Sequence, residues 1–478
     1  MLDQIINKIN KQDYENAQKD LKKIITTDSS NSKAFYLLGI INLKINNIEE
    51  AIEYFQKALA LNQSIEYLFA YSEALIKNNL FVEAQNSYKK ILNIDNKNEP
   101  AIVNLAYSYL LTYNYSEAEK YYLQALELKP QNPHYYKNIG NLYKKQNKIT
   151  EALKFYEKGI SIDSNIPEIK KGKGLILLSQ QKYSEAWDYF ESRIYSGQNK
   201  GTLFSIIEKN LFKNKDIKSV KKLVVVSEQG IGDKILFSSI YNDLLKCHTE
   251  LKFLIDSRLN TIFKRSFGDH EYINLDNYDR IRDLVRNGYE FIYAGSLGKY
   301  FRKNSSDFMT KSFLKPNLEK VSKYELLFKN YSFKKIIGLS WKSSSRFAHN
   351  KSFELKDFKS IIKDKNYLIV NLQYGETKDL DEFNLKNENK ILKINDLDLF
   401  NDIDETIALI HTLDCVVTSP NVTIHLAGAI GKKCLAFYHS EYESILNQKS
   451  KNDWYKNLKI VQFNQNLSDV VSKEKNFL

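Results

Sequence analysis

An alanine recurs every 33 or 34 residues through the first 195 positions, at Ala17, Ala51, Ala84, Ala118, Ala152 and Ala186. A period near 34 residues is typical of a solenoid of helical hairpins, because one hairpin cannot bury its apolar face without a neighbour. Residues 1–195 are therefore predicted to form an all-α repeat array.

Two further positions follow the same period. Small residues, expected where the two helices of a repeat cross, are Gly39, Ser72, Ala106, Gly140 and Gly174. Aromatic residues, expected to fill the gap to the next repeat, are Phe55, Tyr88, Tyr122, Tyr156 and Phe190. The pattern resembles the tetratricopeptide repeat family, which implies a groove that binds a peptide or protein partner. The alternative is an array that only supports or dimerises the chain.

After residues 196–221, which are predicted to form a linker helix, short apolar segments alternate with helical patterns. We expect strands at residues 222–227, 251–255, 272–275, 290–294, 336–341, 367–373, 391–394, 415–419, 434–438 and 459–463. Such strands indicate parallel sheets with helices on both faces. The predicted fold class is all-α followed by α/β, with Rossmann-like halves at residues 222–330 and 331–478.

Composition narrows the class of protein and its surroundings. The net charge of +12 comes mostly from dispersed lysines, so it does not indicate a nucleic-acid-binding surface. No apolar run reaches the ~20 residues that a membrane span needs, and the start of the chain lacks a secretory pattern. Three distant cysteines favour a reducing compartment. We expect a cytoplasmic protein, with a peripheral position at the inner face of the membrane as the alternative.

The first strand is followed by a glycine-containing turn. Gly230 and Gly232 are expected to turn the backbone sharply and leave space for a ligand. Asp233 opens the next helix, where its carboxylate caps the helix or faces a substrate. An ordinary capped turn is the simpler interpretation of this motif alone.

Two later strand ends carry polar groups. After the fifth strand we expect a polar loop and then a helix at about residues 355–363. Lys342 and Lys351 lie in this loop and are candidates to pair with a diphosphate. Glu376 follows the sixth strand and is a candidate to accept hydrogen bonds from a ribose. Solvated surface residues are the alternative in each case.

The strand at residues 415–419 leads into the most informative motif. Asn421 is expected to cap a helix whose first amides, from Val422 and Thr423, point at the strand-end crevice and suit a diphosphate. His425 lies one turn later on the same face, where it is either a site residue or a packed helix histidine.

Taken in order, these segments resemble the family 9, heptosyltransferase-like glycosyltransferases, in particular the bacterial form fused to tetratricopeptide repeats. The similarity is best in the segments 228–233 and 421–431 and in Trp454-Tyr455. It implies a GT-B fold of two Rossmann-like halves, a nucleoside-diphosphate sugar on the second half and an acceptor on the first. The acceptor is a glycan, a lipid-linked saccharide or a protein.

The resemblance also implies roles for single residues. Asp233 matches the family's proposed general base, and Lys351 matches its phosphate-binding lysine. Glu376 matches the ribose-contacting acid only loosely. The residues that match the diphosphate loop are Asn421, Val422, Thr423 and His425.

The implied reaction is an inverting sugar transfer that needs no metal and no cofactor besides the donor. Many members of the family have Asp-Thr where this chain has Pro420-Asn421, so the identity of the donor stays open. Two other functions remain: a catalytically silent scaffold for protein interactions, and a nucleotide-sugar epimerase that needs no acceptor.

Overall fold

The computed structural model describes residues 2–196, 201–213, 216–248, 250–308, 311–343, 351–375, 377–439, 452–463 and 466–478. The chain divides into two compact units, Met1–Ile166 and Pro167–Leu478. The sixth helical hairpin therefore belongs to the second unit, although its sequence follows the repeat to residue 195. The reason is visible at Trp187, which is buried and donates a hydrogen bond of 2.6 Å from Nε1 to the Arg302 carbonyl oxygen.

The first unit consists of antiparallel helical hairpins. Its helices are α1 Leu2–Asn10, α2 Tyr14–Thr27, α3 Ser32–Lys44, α4 Ile48–Leu61, α5 Ile65–Lys77, α6 Phe81–Ile94, α7 Glu99–Leu111, α8 Tyr115–Leu128, α9 Pro133–Lys145 and α10 Ile149–Ile162. The turns inside the hairpins pass through left-handed residues with φ between 57° and 65°, namely Gln12, Asn46, Asn79, Tyr113 and Asn147. Asparagine tolerates this conformation better than most residues, so the turn is a further periodic position.

The periodic small residues lie directly beneath the periodic aromatics. A Cβ added to Gly39 would lie 2.5 Å from the Phe55 ring, and one added to Gly140 would lie 2.5 Å from the Tyr156 ring. The prediction of a close helix crossing is thus correct. The aromatics, however, cover the small residue of their own repeat, whereas the sequence interpretation placed them in the gap to the next one.

The second unit begins with a hairpin and continues as two parallel sheets. Its helices are α11 Pro167–Ser179, α12 Tyr183–Phe190, α13 Thr202–Ile207, α14 Ile231–Ser238, α15 Tyr241–Leu245, α16 Asn260–Phe267, α17 Tyr278–Arg286, α18 Gly298–Phe301, α19 Leu318–Phe328, α20 Lys359–Ile362, α21 Lys378–Lys386, α22 Ile403–Thr412, α23 Val422–Ala429 and α24 Leu467–Glu474. Its strands are β1 Leu223–Val226, β2 Leu251–Ile255, β3 Glu271–Asn274, β4 Glu290–Tyr293, β5 Lys335–Ser340, β6 Tyr367–Asn371, β7 Cys415–Thr418, β8 Cys434–His439 and β9 Leu458–Phe463.

The order of the strands determines where the motifs that follow β1, β5 and β7 leave the two sheets. The first sheet has the order β3-β2-β1-β4 and the second β6-β5-β7-β8-β9, with every pair parallel. Because β1, β5 and β7 lie inside their sheets, the loops that follow them emerge from the middle of each carboxyl edge. Ligands of open parallel sheets bind at this position.

Three predicted elements differ from the structure. Residues 391–394 contribute one isolated bridge, between Leu392 and Val370, instead of a strand. The linker predicted as one helix contains the short helix α13 and two 3₁₀ turns in its described part. The helix expected at residues 355–363 is a 3₁₀ turn, Leu355–Phe358, followed by the single turn of α20. No helix among the described residues is both long and apolar enough to cross a membrane.

Candidate functional site

A cavity of about 300 Å³ lies in the second unit where loops of both sheets meet. The sequence-predicted residues that line it are Gly232, Asp233, Lys351, Asn421, Val422 and His425. Gly230 lies just outside as the N-cap of α14, and Thr423 is buried behind the wall. Glu376 lies outside the described residues. The fold thus joins motifs that are almost 200 residues apart in the chain.

Asp233 sits in the first turn of α14 and faces this cavity. Burial, followed by the negative charge of Glu228, raises the pKa of its carboxyl from 3.8 to about 6. A backbone hydrogen bond from Gly230 and the charges of Lys351 and Lys171 act in the opposite direction. The carboxyl therefore changes its charge close to neutral pH, where a general base is most effective.

The glycines before Asp233 act differently from the sequence interpretation. The left-handed residue of this turn is Gln229, with φ of 62°, whereas Gly230 has an ordinary φ of −74°. Gly232 is required for space, because an added Cβ would lie 2.5 Å from Cδ2 of His425. The expected sharp turn is therefore present, but it is made one residue earlier and not by a glycine.

His425 packs against Gly232 on one side and Tyr455 on the other. Its Nδ1 atom lies 3.1 Å from the Tyr455 hydroxyl. Burial lowers the pKa of the imidazole to about 4. The ring is therefore neutral at pH 7, so it serves as a polar contact in the cavity and not as a cation.

Asn421 connects the loops of the second sheet. Its Nδ2 atom donates to Oγ of Ser340 at 2.8 Å and to the Lys342 carbonyl oxygen at 3.0 Å. Its Oδ1 atom accepts from the Thr423 amide at 2.9 Å. The cap of α23 is present as predicted. Because the Thr423 amide is already engaged, it is a poorer diphosphate donor than the sequence suggested.

Two lysines follow β5, and they lie in different places. Lys351 lines the cavity, and burial lowers the pKa of its ammonium. Lys342 instead forms a 2.7 Å ion pair with Asp379, and Asp379 also accepts from Nε1 of Trp341 at 2.8 Å. Of the two candidates for phosphate binding, only Lys351 lines the cavity.

Arg258, Phe400 and Tyr374 are among the cavity residues that the sequence analysis missed. Arg258 donates from Nε and Nη2 to Asp256 at 2.9 and 3.0 Å, and its guanidinium lies 4.9 Å from the Phe400 ring centre. The Phe400 ring is 6.0 Å from that of Tyr374. These residues come from three separate loops, and no local pattern marks them. Together they give the cavity an aromatic wall beside a cation.

A buried ion pair supports the Asp233 loop from behind. Arg193, in the 3₁₀ turn after α12, donates to Glu228 from Nε at 2.9 Å and from Nη2 at 2.6 Å. The same Glu228 carboxylate accepts from the Gly295 amide at 2.8 Å. Glu228 immediately precedes Gln229, so the sixth hairpin reaches the turn that carries Asp233.

The sequence contains three pairs of aspartates two positions apart, Asp379/Asp381, Asp396/Asp398 and Asp402/Asp404. Most of these carboxylates have structural partners. Besides Asp379, Asp381 pairs with Lys393 at 3.3 Å, and Asp402 caps α22. Asp404 forms an ion pair with Arg265. Among the described residues, no cluster of three or more His, Cys, Asp or Glu side chains is arranged to hold a metal ion.

Comparison with known proteins decides the nature of the repeats. Models of the tetratricopeptide repeat match residues 32–65 and 134–166, and a second model of the same repeat matches residues 75–142. The helical hairpins are tetratricopeptide repeats. The predicted repeat family is thereby confirmed over this part of the chain.

Several known proteins are similar to parts of this chain. Protein FlbA of Caulobacter vibrioides is 27% identical over 229 residues, which cover 44% of this chain and 38% of FlbA. A crystal structure of MamA is 22% identical, with a TM-score of 0.31 over 33% of this chain and 93% of that one. A repeat protein of Parabacteroides merdae is 16% identical, with a TM-score of 0.40 over 60% of this chain and 96% of that one.

Proposed function

We propose that the second unit is an inverting glycosyltransferase of the GT-B type that uses a nucleoside-diphosphate sugar. One observation carries the proposal: a single cavity joins a carboxyl with a pKa of about 6, a half-buried lysine and the amino end of a helix. These groups match the needs of the reaction, which are a base for the acceptor and cationic or amide donors for the leaving diphosphate.

In this mechanism the acceptor hydroxyl oxygen attacks the anomeric carbon of the donor sugar. The bond between that carbon and the diphosphate oxygen breaks, and its electron pair leaves with the nucleoside diphosphate. The Asp233 carboxylate takes the proton of the attacking hydroxyl. Attack from the face opposite the leaving group inverts the configuration. The rate should rise with pH through about 6, as Asp233 becomes ionised.

The leaving diphosphate is stabilised by groups that follow the strands of the second sheet. The Lys351 ammonium supplies a positive charge, and the amino end of α23 supplies the helix dipole. His425 is neutral at pH 7, and its Nδ1 lies 3.1 Å from the Tyr455 hydroxyl. We assign its ring N–H to Nε2, from which it donates to the diphosphate. Binding an anion beside Lys351 offsets the burial that lowers its pKa, which favours a diphosphate over a neutral ligand.

For the tetratricopeptide array we propose a peptide or protein partner. One structural neighbour, YrrB, is described as a repeat protein with an unusual peptide-binding site; it is 16% identical, with a TM-score of 0.30 over 40% of this chain and 98% of that one. A protein partner of the array is also a candidate acceptor, beside glycans and lipid-linked saccharides.

Thermal unfolding with a panel of nucleoside diphosphates and their sugars tests the proposal. The wild type should be stabilised by one nucleotide by several degrees, and Lys351→Ala should lose most of this stabilisation. Lys342→Ala is the matched control, because this lysine pairs with Asp379 and does not line the cavity. Its response should equal that of the wild type.

If no nucleotide stabilises the folded protein, the α/β unit is a silent partner of the repeats and the chain is a scaffold. If a nucleotide sugar binds and is converted without an acceptor, the protein is an epimerase. Analysis of the products with and without acceptor separates the epimerase from the transferase.

A further inference from the structure

A second cavity, of about 370 Å³, lies at the carboxyl end of α23, whereas the proposed donor site lies at its amino end. Three cationic side chains line it: Arg302, Lys311 and Lys456. Among the described residues of its wall there is no carboxylate, whereas the first cavity contains Asp233. The charge of this wall therefore favours a negatively charged occupant.

Three side chains that line this cavity each carry a buried polar atom with no hydrogen-bond partner among the described residues: Oγ of Ser239, Nε of Arg302 and Nε1 of Trp454. The three side chains are at most 5% exposed. A buried donor without a partner costs about 1–3 kcal/mol, and native structures contain few of them. Three around one cavity indicate that a group rich in acceptor atoms belongs there.

Protein groups accept hydrogen bonds from only some of the N–H groups of the Arg302 guanidinium. Nη1 pairs with Asp243 at 2.8 Å, and Nη2 donates to the Ser239 carbonyl oxygen at 3.1 Å. Burial nevertheless lowers the pKa of Arg302, so its loss of hydration outweighs the benefit of the Asp243 charge. An additional anion beside Nε would restore part of the lost stabilisation.

The walls strengthen such an interaction because they are aromatic. The Phe308 ring lies 4.9 Å from Trp454, and Phe313 stacks on Tyr455 at 6.4 Å. Hydrogen bonds to a charged group are stronger in surroundings of low polarity. The exposed Lys311 and Lys456 stand where they attract an anion from solvent.

We propose that this cavity is a binding site for a small oxyanion, a phosphate or carboxylate group, separate from the donor cavity. Arg302, Trp454 and Ser239 donate hydrogen bonds to its oxygens, and Lys311 and Lys456 balance its charge. Tyr455 lines this cavity and also lies 3.1 Å from His425 of the donor site. The bound oxyanion therefore lies one side chain away from the donor site.

Calorimetric titration of the full chain with inorganic phosphate and with succinate tests the site and distinguishes the two oxyanion classes. At least one should bind with saturation, and the double variant Lys311→Ala/Lys456→Ala should weaken its affinity about tenfold or more. Lys334→Ala is the matched control, because Lys334 is an equally exposed lysine remote from both cavities. It should leave the affinity unchanged, which separates specific binding from the general attraction of a chain with net charge +12.

Ser239→Ala provides a second test that preserves the fold. It should weaken binding several-fold without lowering the unfolding midpoint of the anion-free protein, because its hydroxyl has no partner there. Saturable binding lost in Lys351→Ala but kept in the double variant would overturn the proposal, since the anion would then occupy the donor cavity. Absence of saturable binding of both anions would overturn it as well, as would a lowered midpoint in anion-free Ser239→Ala.

Discussion

The repeat array and the α/β unit are stabilised in different ways. In the array, buried polar groups bond within one helix or to a helix close by in the chain. Oγ of Ser72 donates to the Leu68 carbonyl oxygen at 2.7 Å, four residues away, and Nε2 of Gln85 donates to the Ser108 carbonyl oxygen at 3.3 Å, 23 residues away. In the α/β unit, buried polar side chains join distant segments, such as Arg193 with Glu228 and Asn421 with Ser340. The array uses the same helix–helix packing in each repeat, whereas the α/β unit depends on side-chain contacts that occur only once.

This difference has a consequence for mutations. In a stack of repeats, stability is approximately the sum of similar neighbouring interfaces, so one substitution removes one contribution among several. A buried network has no second copy. The largest single effects are therefore expected in the α/β unit, at groups that combine charge with burial.

Arg193→Met should produce the largest loss of stability. It leaves the Glu228 carboxylate buried without its cationic partner, and breaking such a pair costs about 3–5 kcal/mol. Urea unfolding measures the loss. Arg280→Met, which breaks a partly exposed pair with Glu271, is the control and should cost less than about 1 kcal/mol. Equal losses in the two variants would contradict the contrast between the networks.

The sequence anticipated the array better than the site. The period of the alanines from Ala17 to Ala186 predicts repeated interfaces, because the alanine of each repeat occupies the same packing position. Most strands of the α/β unit were also predicted, since apolar runs mark buried parallel strands. The residues 391–394 have the same apolar character, yet they pair only through Leu392. Pattern alone does not tell a strand from an extended segment at a sheet edge.

Within the site, motifs that follow strands were located, but their partners were not. Gly232 was expected to shape a turn, and the structure shows that it makes room for a histidine 193 positions later. Arg193, Arg258 and Phe400 have no local signal, because their importance comes from tertiary contacts. The strand ends could be predicted, therefore, whereas the side chains that meet there could not.

Asp233→Asn should have the next largest effect. It should raise the stability of the protein at pH 8 and lower its activity. The pKa of this carboxyl is raised from 3.8 to about 6, so ionising it destabilises the fold by up to about 3 kcal/mol. This penalty grows as pH rises through 3.8, where the carboxyl of the unfolded chain ionises, and is complete above about pH 6. The variant should therefore be more stable than the wild type at pH 8 and equally stable at pH 3.5.

Sugar transfer by Asp233→Asn should fall about 100-fold or more, the usual cost of losing a general base. Urea unfolding at the two pH values and transfer rates at pH 8 measure the two effects. Asp279→Asn, at an almost fully exposed carboxylate, is the control and should change neither. A variant that is less stable at pH 8 would show that Asp233 is a structural cap.

The smallest effects should come from two glycines with the same steric surroundings. An added Cβ would lie 2.5 Å from Tyr156 at Gly140 and 2.5 Å from His425 at Gly232. Alanine gains up to about 1 kcal/mol over glycine in a helix, which offsets part of the 1–3 kcal/mol typical of overpacking. Each variant should therefore lose about 1–2 kcal/mol of unfolding free energy.

Nucleotide binding should distinguish these two variants. Gly140→Ala disturbs one interface of the array and should keep the full nucleotide-induced rise in unfolding midpoint. Gly232→Ala displaces His425 from the cavity wall and should lose part of it. Gly230→Ala is the control beside the site, because its Cβ would meet only Oδ2 of Asp233 at an ordinary 3.7 Å. If Gly232→Ala kept the full rise, His425 would be a packing residue of α23 and not a ligand contact.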